Sequence, residues 1–206
     1  MNSPQIQHSL GVLPAAGLAE RLNGLPKFLL PLDARGRTLL DFHVELMLEV
    51  LTHVLIPVRP ENARYLTKYA TVERVSILAM ETRSLADTIY RCARNLSPDD
   101  DLVLGMPDTY FSEANPYAFM TQEHLSHGSF VMGAWSWEEV HRGNLGQIQI
   151  SASNQVTAVI DKDPLCNFKH VWGLLRFPAT AALNSLREKE TIGDLFSERA
   201  ANGGLI

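Results

Sequence analysis

Gly11-Val-Leu-Pro-Ala-Ala-Gly-Leu-Ala-Glu-Arg21-Leu-Asn-Gly-Leu-Pro-Lys27-Phe-Leu-Leu-Pro-Leu32 decides how this chain folds. Its first part, Gly11–Ala16, reads as a short buried strand that runs into a loop of small residues. Arg21 and Lys27 follow, each within ten residues of Gly17, and then a second apolar run begins. Small residues let a backbone approach a ligand closely, and successive N–H groups in such a loop form an anion-binding concavity. A helix opening nearby adds the partial positive charge of its N-terminus. An arginine brings a planar fork and a lysine a mobile point charge, the pair that a polyphosphate needs. Taken singly, Gly17 is a turn residue and Arg21 or Lys27 a solvated surface charge. Their combined spacing points to a nucleotide-phosphate loop.

Outward from this loop, strand and helix alternate. Thr38–Thr52 places Leu39, Leu40, Phe42, Leu46, Met47 and Val50 at the spacing of an amphipathic helix, with Asp41 near its start. His53–Val58 reads as a second strand, Pro60–Tyr69 as a short helix and Val75–Ala79 as a third strand. Ser84–Leu96 reads as another helix, Asp99–Asp101 as an acidic turn and Leu102–Gly105 as a fourth, central strand. This rhythm predicts an α/β fold with a three-layer, mainly parallel, Rossmann-like sheet. The second half differs. Ser129–Trp135, Gly146–Ser151, Val156–Ile160 and Trp172–Phe177 read as strands without long helices between them, followed by a helix from Ala179 to Lys189. An antiparallel extension in the second half is the expectation. A chain of 206 residues fits one domain, 1–206, with a nucleotide-binding half over about 10–111 and a substrate-pocket half over about 112–206.

Composition removes several function classes. A net charge of −5 argues against a general nucleic-acid binder, which carries a basic face. Two cysteines, Cys92 and Cys166, are too few for a disulfide framework, which favours a reducing compartment. Met1–Ser9 lacks the charged-then-apolar layout of a signal peptide, and no apolar run reaches the length of a membrane span. The expectation is a soluble, cytoplasmic protein with neither nucleic acid nor membrane as partner. The histidines show no zinc spacing, no serine sits in a nucleophile elbow, and G-x-G-x-x-G is not met after the first strand.

Three further stretches carry chemistry. Leu102-Val-Leu-Gly-Met-Pro-Asp108 delivers a carboxylate past a strand's C-terminal end, the edge where open α/β sheets bind ligands. Such a carboxylate suits Mg²⁺, a hard ion that bridges substrate phosphates, and it equally suits a turn cap. Ser84 and Asp87 fit the N-cap and N3 positions of a helix. Asp161-Lys162-Asp163-Pro164 is either a hairpin end or a lysine offered to a ligand. Gly146 and Gly173 suit bulges or close packing, and Trp135, Trp137 and Trp172 suit core packing more than sugar stacking.

Together these stretches resemble the sugar-phosphate nucleotidyltransferases (NDP-sugar pyrophosphorylases), whose N-terminal signature runs L-A-A-G-x-G-x-R-x(4–6)-P-K-x-L-x-P. Leu13, Ala15, Ala16, Gly17, Arg21, Pro26, Lys27, Leu29 and Pro31 match it, while Pro14 and Ala19 depart from it, Ala19 standing for a second glycine. The resemblance implies an NTP and a sugar 1-phosphate as substrates, with an NDP-sugar and pyrophosphate as products. It implies a nucleotide loop at Ala15, Ala16, Gly17, Leu18 and Ala19, and a helix start beside the base at Ser84 and Asp87. Arg21 would hold the β- and γ-phosphates, Lys27 the α-phosphate and Asp108 the Mg²⁺. Lys162, within an Asp161-Lys162 version of the family's E-K-P element, would hold the sugar phosphate, with Gly146 and Gly173 near the sugar. The family's second metal-binding aspartate has no clear counterpart, since past Lys162 only Asp163 and Asp194 are on offer. Two other readings therefore stay open: a non-catalytic nucleotide- or sugar-nucleotide-binding homologue, and a cytidylyltransferase acting on an alcohol phosphate. The base, the sugar and the oligomeric state are not legible.

Overall fold

The helix that follows the opening loop, α1 (Leu39–Val50), starts where Thr38 and Asp41 close a reciprocal cap. Asp41 donates its N–H to Thr38 Oγ1 at 3.2 Å, and the Thr38 N–H reaches Asp41 Oδ2 at 2.9 Å. Burial pushes the Asp41 carboxyl up, but bonds from Lys68, Tyr69 and Thr38 outweigh it and hold the group at about 2. These positions come from a computed structural model, which describes residues 9–17, 25–112, 115–122, 125–126, 128–187 and 191–206.

The parallel half consists of β1 (Ser9–Val12), β2 (His53–Val58), β3 (Val75–Ala79) and β4 (Asp101–Gly105). They lie in the order β3-β2-β1-β4, all parallel. The chain thus moves outward from β1 to β3 on one side and returns to place β4 on the other. The strand order reverses between β1 and β4, the topological switch point of an open α/β sheet. Pro60–Tyr69, expected as a short helix, is a 3-10 segment with Pro60 at its first position.

The opening strand is displaced from the expected Gly11–Ala16. Regular pairing with β4 ends at Val12 and Leu104. Along β2 the pairing continues, with Leu13 N–H to the Leu55 carbonyl at 2.9 Å and Ala15 N–H to the Pro57 carbonyl at 2.8 Å. Odd-numbered residues here donate toward β2. Pro14, facing β4, has no N–H to donate. The proline therefore frees β1 from β4 while β2 retains it, and a gap opens at the switch point.

The antiparallel half is built around β8 (His170–Pro178), the longest strand. One edge of β8 pairs with β4 and, further along, with β6 (Gln147–Ile150); its other edge pairs with β5 (Val131–Ser136). β7 (Val156–Ile160) pairs with β6 and completes an eight-stranded sheet. Leu205 and Ile206 bridge this half: the Ile206 carbonyl accepts from Met132, and the Leu205 carbonyl from Val156.

Side chains alternate across the sheet with period two. Val103, Val54, Ile56 and Val58 face α1, the 3-10 segments and α3 (Pro116–Met120). Leu102, Leu104 and Leu55 face α2 (Leu85–Ala93), α4 (Ala179–Ser185) and α5 (Ile192–Ala201). Three layers with two cores result, in agreement with the expected α/β class. Asp101, expected in a turn, is instead the first residue of β4 and almost fully buried. Arg176 of β8 satisfies it with Nε at 3.0 Å and Nη2 at 2.7 Å, while Arg176 Nη1 reaches the Met120 carbonyl at 2.8 Å. α4 ends at Ser185, earlier than the expected Lys189, which lies outside the described residues.

Candidate functional site

A cleft of about 570 Å³ occupies the gap between the C-terminal ends of β1 and β4. Its floor is Pro14, Ala15, Ala16 and Gly17. Among the described residues, no group accepts from the N–H of Ala16 or Gly17. Gly17 does not adopt positive φ, and a Cβ there would meet nothing within 4 Å. Its contribution is space above the amides, not conformational freedom. Leu18, Ala19 and Arg21 lie outside the described residues.

Lys27 opens a single 3-10 turn, Lys27–Leu29, whose Phe28 is buried against the α1 core. The apolar anchor fixes the turn and leaves Lys27 pointing into the cleft, where its Nζ lies 3.1 Å from Asp108 Oδ2. Both side chains are about two-fifths exposed (41% and 42%), so a ligand can reach either.

Asp108 depends on a buried aromatic group. β4 ends at Gly105, where a Cβ would overlap the Tyr117 hydroxyl. That hydroxyl bonds His43 Nδ1, and His43 Nε2 lies 2.7 Å from the carbonyl of Thr109, the residue after Asp108. A carbonyl only accepts, so Nε2 carries the proton and Nδ1 accepts from Tyr117. Burial pushes the His43 imidazole down to about 4, against the Thr109 bond and the nearby charge of Asp108, and keeps the ring neutral at pH 7. Phe111 packs edge-on to His43 and Tyr117 and stacks on Trp135 with centroids 5.2 Å apart. The loop carrying Asp108 is thus held at Thr109 and Phe111.

The third wall is the start of α2. Ser84 caps it by accepting from the Asp87 N–H at 3.2 Å, and the Asp87 carboxylate accepts from the Arg83 N–H at 3.1 Å. Thr82, Arg83, Ser84, Leu85 and Thr88 face the cleft, with Thr88 Oγ1 bonded to Thr82 Oγ1 at 2.7 Å. Asp87 itself is buried and turned toward Arg91 rather than the cleft, and burial is outweighed by the Arg83 and Arg91 contacts that lower its pKa. Lys162 supplies the far wall from a left-handed backbone position, φ 50°.

The structure therefore gathers Ala15, Ala16, Gly17, Lys27, Ser84, Asp108 and Lys162 around one space, from five separate stretches of chain. Asp161 is not on its lining; it sits against Gly193 at the start of α5. Gly146 and Gly173 also lie off the lining, under the indoles of Trp172 and Trp135, where a Cβ would crowd the rings. Asp163 accepts from the Leu165 N–H at 2.8 Å, and Asp194 closes the cap of α5 with Thr191. Among the described residues no three His, Cys, Asp or Glu side chains gather as a metal cage. Sequence reading missed His43 and Tyr117. A histidine on the apolar face of the α1 pattern was the available signal.

No protein-family model matches the chain, and no curated protein matches it in sequence. Solved structures do match. A UDP-glucose pyrophosphorylase complexed with UDP-glucose superposes with a TM-score of 0.75 at 14% identity, covering 95% of this chain and 88% of that one. A putative glucose-1-phosphate thymidylyltransferase from Bacillus anthracis, in complex with a sucrose, gives a TM-score of 0.78 at 16% identity, covering 96% and 85%. This chain has the sugar-phosphate nucleotidyltransferase fold. At such identities the nucleotidyltransferase likeness is one of fold, and the chemistry rests on the cleft. Among the described residues no helix is long and apolar enough to cross a membrane.

Proposed function

We propose that the chain is a nucleotidyltransferase joining an NTP to a sugar 1-phosphate, with release of pyrophosphate, in the cytoplasm. One observation carries this reading: Lys27, Asp108 and Lys162 meet at the switch point beside two backbone N–H groups without partners among the described residues. In the reaction, a sugar-phosphate oxygen forms a new bond to the α-phosphorus. The bond from that phosphorus to the bridging oxygen breaks, and pyrophosphate leaves with the bond's electron pair. Positioning and charge neutralisation accelerate such a step more than acid–base chemistry does. The Ala16 and Gly17 amides receive phosphate oxygens, Lys27 the α-phosphate and Lys162 the incoming sugar phosphate. Arg21 is assigned to the departing pyrophosphate. Ser84 and Asp87 shape the first turn of α2 beside the base.

Mg²⁺ fits the donor set as an ion shared with substrate, because it commonly binds through one or two carboxylates plus phosphates. Asp108 is the residue that would hold it, and the bound ion would spread leaving-group charge. Lys27 occupies that carboxylate in the free protein and must turn to the phosphate when substrate arrives.

Asp163 and Asp194 are both engaged in local caps, which keeps the non-catalytic sugar-nucleotide-binding homologue as the second reading. Pyrophosphate release with a panel of NTPs and sugar 1-phosphates, with and without Mg²⁺, separates the two; alcohol phosphates in the panel test the cytidylyltransferase variant. Turnover with one pairing, lost in Lys27→Ala and Asp108→Asn, is the expected result. Nucleotide binding without turnover supports the second reading, and near wild-type rates in either variant would falsify the site assignment.

A further inference from the structure

The exposed side of α2 has its own charge pattern. Arg83, Asp87, Tyr90, Arg91 and Arg94 recur at helical spacing along one face, and Arg187 reaches the same face from beyond the end of α4. Together they wall a second cavity of about 500 Å³. Among the described residues its one carboxylate, Asp87, is already committed: Arg91 Nε lies at 3.1 Å, Arg83 Nε at 3.5 Å, and the Arg83 N–H at 3.1 Å. Among the described residues, no carboxylate pairs with Arg94 or Arg187. Two guanidinium groups thus share one acid and two more line the same space, in a chain whose net charge is −5, so basic composition does not explain them.

Like charges one turn apart on a helix oppose its stability. An anion reverses that cost, and the guanidinium fork matches two phosphate oxygens at once. The cavity has room for more than one phosphate, and its four arginines are exposed, so each guanidinium is accessible to an incoming anion. We propose that this cavity is a second anion site, separate from the cleft, for a pyrophosphate-type ligand, either free or as part of a nucleotide. Arg83 borders both spaces, whereas Arg94 and Arg187 belong to the arginine cavity alone.

The test is calorimetric titration of the full chain with inorganic pyrophosphate in the absence of Mg²⁺. Lys27→Ala and Lys162→Ala are introduced first to disable the cleft. This protein still binds, and adding Arg94→Gln and Arg187→Gln weakens the binding by about tenfold or more. Arg94→Lys with Arg187→Lys recovers part of the affinity, since the charge stays and the fork is lost. Uridine triphosphate and pyrophosphate titrated in parallel separate the two sources: tighter triphosphate binding, equally sensitive to the glutamines, assigns a nucleotide. No binding to the cleft-disabled protein, or an affinity unmoved by the glutamine pair, overturns the proposal. Because the readout is binding, absence of nucleotidyltransferase turnover leaves this result intact.

Discussion

Replacing Gly105 by alanine tests whether the Asp108 loop is held from below. The added Cβ would overlap the Tyr117 hydroxyl, with Met47 Cε and Tyr117 Cε1 next at 3.0 Å. Tyr117 is fully buried and hemmed by His43 and Phe111, so it cannot swing into solvent. Overpacking of this kind costs about 1–3 kcal/mol. Pushing the hydroxyl aside also leaves His43 Nδ1 buried without a donor, which costs about 1–3 kcal/mol more. Gly105→Ala should therefore destabilise by about 2–6 kcal/mol. Tyr117→Phe alone forfeits only the hydrogen bond, about 1–3 kcal/mol. With the hydroxyl gone, the alanine meets a flexible methionine end and a ring edge, and adds about 1 kcal/mol or less. Urea unfolding of the four proteins gives the cycle, and a coupling of at least about 1 kcal/mol is expected. Additive costs, within about 0.5 kcal/mol, refute the reasoning. Nucleotide titrations on the same set should show affinity falling in Gly105→Ala and partly returning in the double variant.

The buried Asp101–Arg176 pair gives a second test: Arg176→Met takes the guanidinium away from a buried carboxylate and should lower stability by about 3–5 kcal/mol, with part recovered by adding Asp101→Asn, read from the denaturant midpoint. The exposed Lys27–Asp108 pair behaves oppositely, so Lys27→Ala should change stability by about 1 kcal/mol or less while nucleotide affinity falls. His43 makes stability depend on pH: its folded value, about 4, lies below the ordinary 6.5, so the unfolded chain takes up the proton first. The contribution is complete above pH 6.5, declines as pH falls toward 4 and is absent below. About 2 kcal/mol should go between pH 7 and 5 in the wild type and be missing from that interval in His43→Gln, in which His53 still titrates.

The cleft's electrostatics follow from how its parts are anchored. Lys27 rests on buried Phe28, and Asp108 on the Thr109 hydrogen bond and the packed Phe111 ring, so the two opposite charges are held by separate contacts rather than by each other. An exposed ion pair contributes little to stability, which makes it cheap for a triphosphate to separate. Lys162 has the reverse arrangement. Its left-handed φ of 50° is uncommon for a lysine. A side chain placed at that backbone cost is worth testing as a ligand-facing group, because strain of this sort clusters where geometry is functional.

How far the sequence revealed the molecule depended on the range of the interaction. Elements set by local chemistry were legible: the Ser84 cap, the α1 pattern with Asp41 near its start, the apolar core strands and the loop carrying Gly17. Elements set by a distant partner were not. Asp101 looked like one acid of a turn because its reason for burial, Arg176, lies 75 positions away. His43 looked like a helix residue because Thr109 and Tyr117 lie 66 and 74 positions on. Gly146 and Gly173 suggested a sugar site, and the indoles that account for them belong to Trp172 and Trp135. Pro14 is the instructive case. In sequence it is a departure that stiffens the loop. Beside β2 and β4 it becomes the residue whose missing N–H lets one neighbour go while Leu13 and Ala15 keep hold of the other. Pro14→Ala restores that donor, so β1 should stay paired with β4 for longer and the mouth of the cleft should narrow. Hydrogen exchange reads this directly, as new protection of the residue 14 amide together with weaker nucleotide binding. An unprotected amide with unchanged affinity would place the origin of the gap in the Asp108 loop instead.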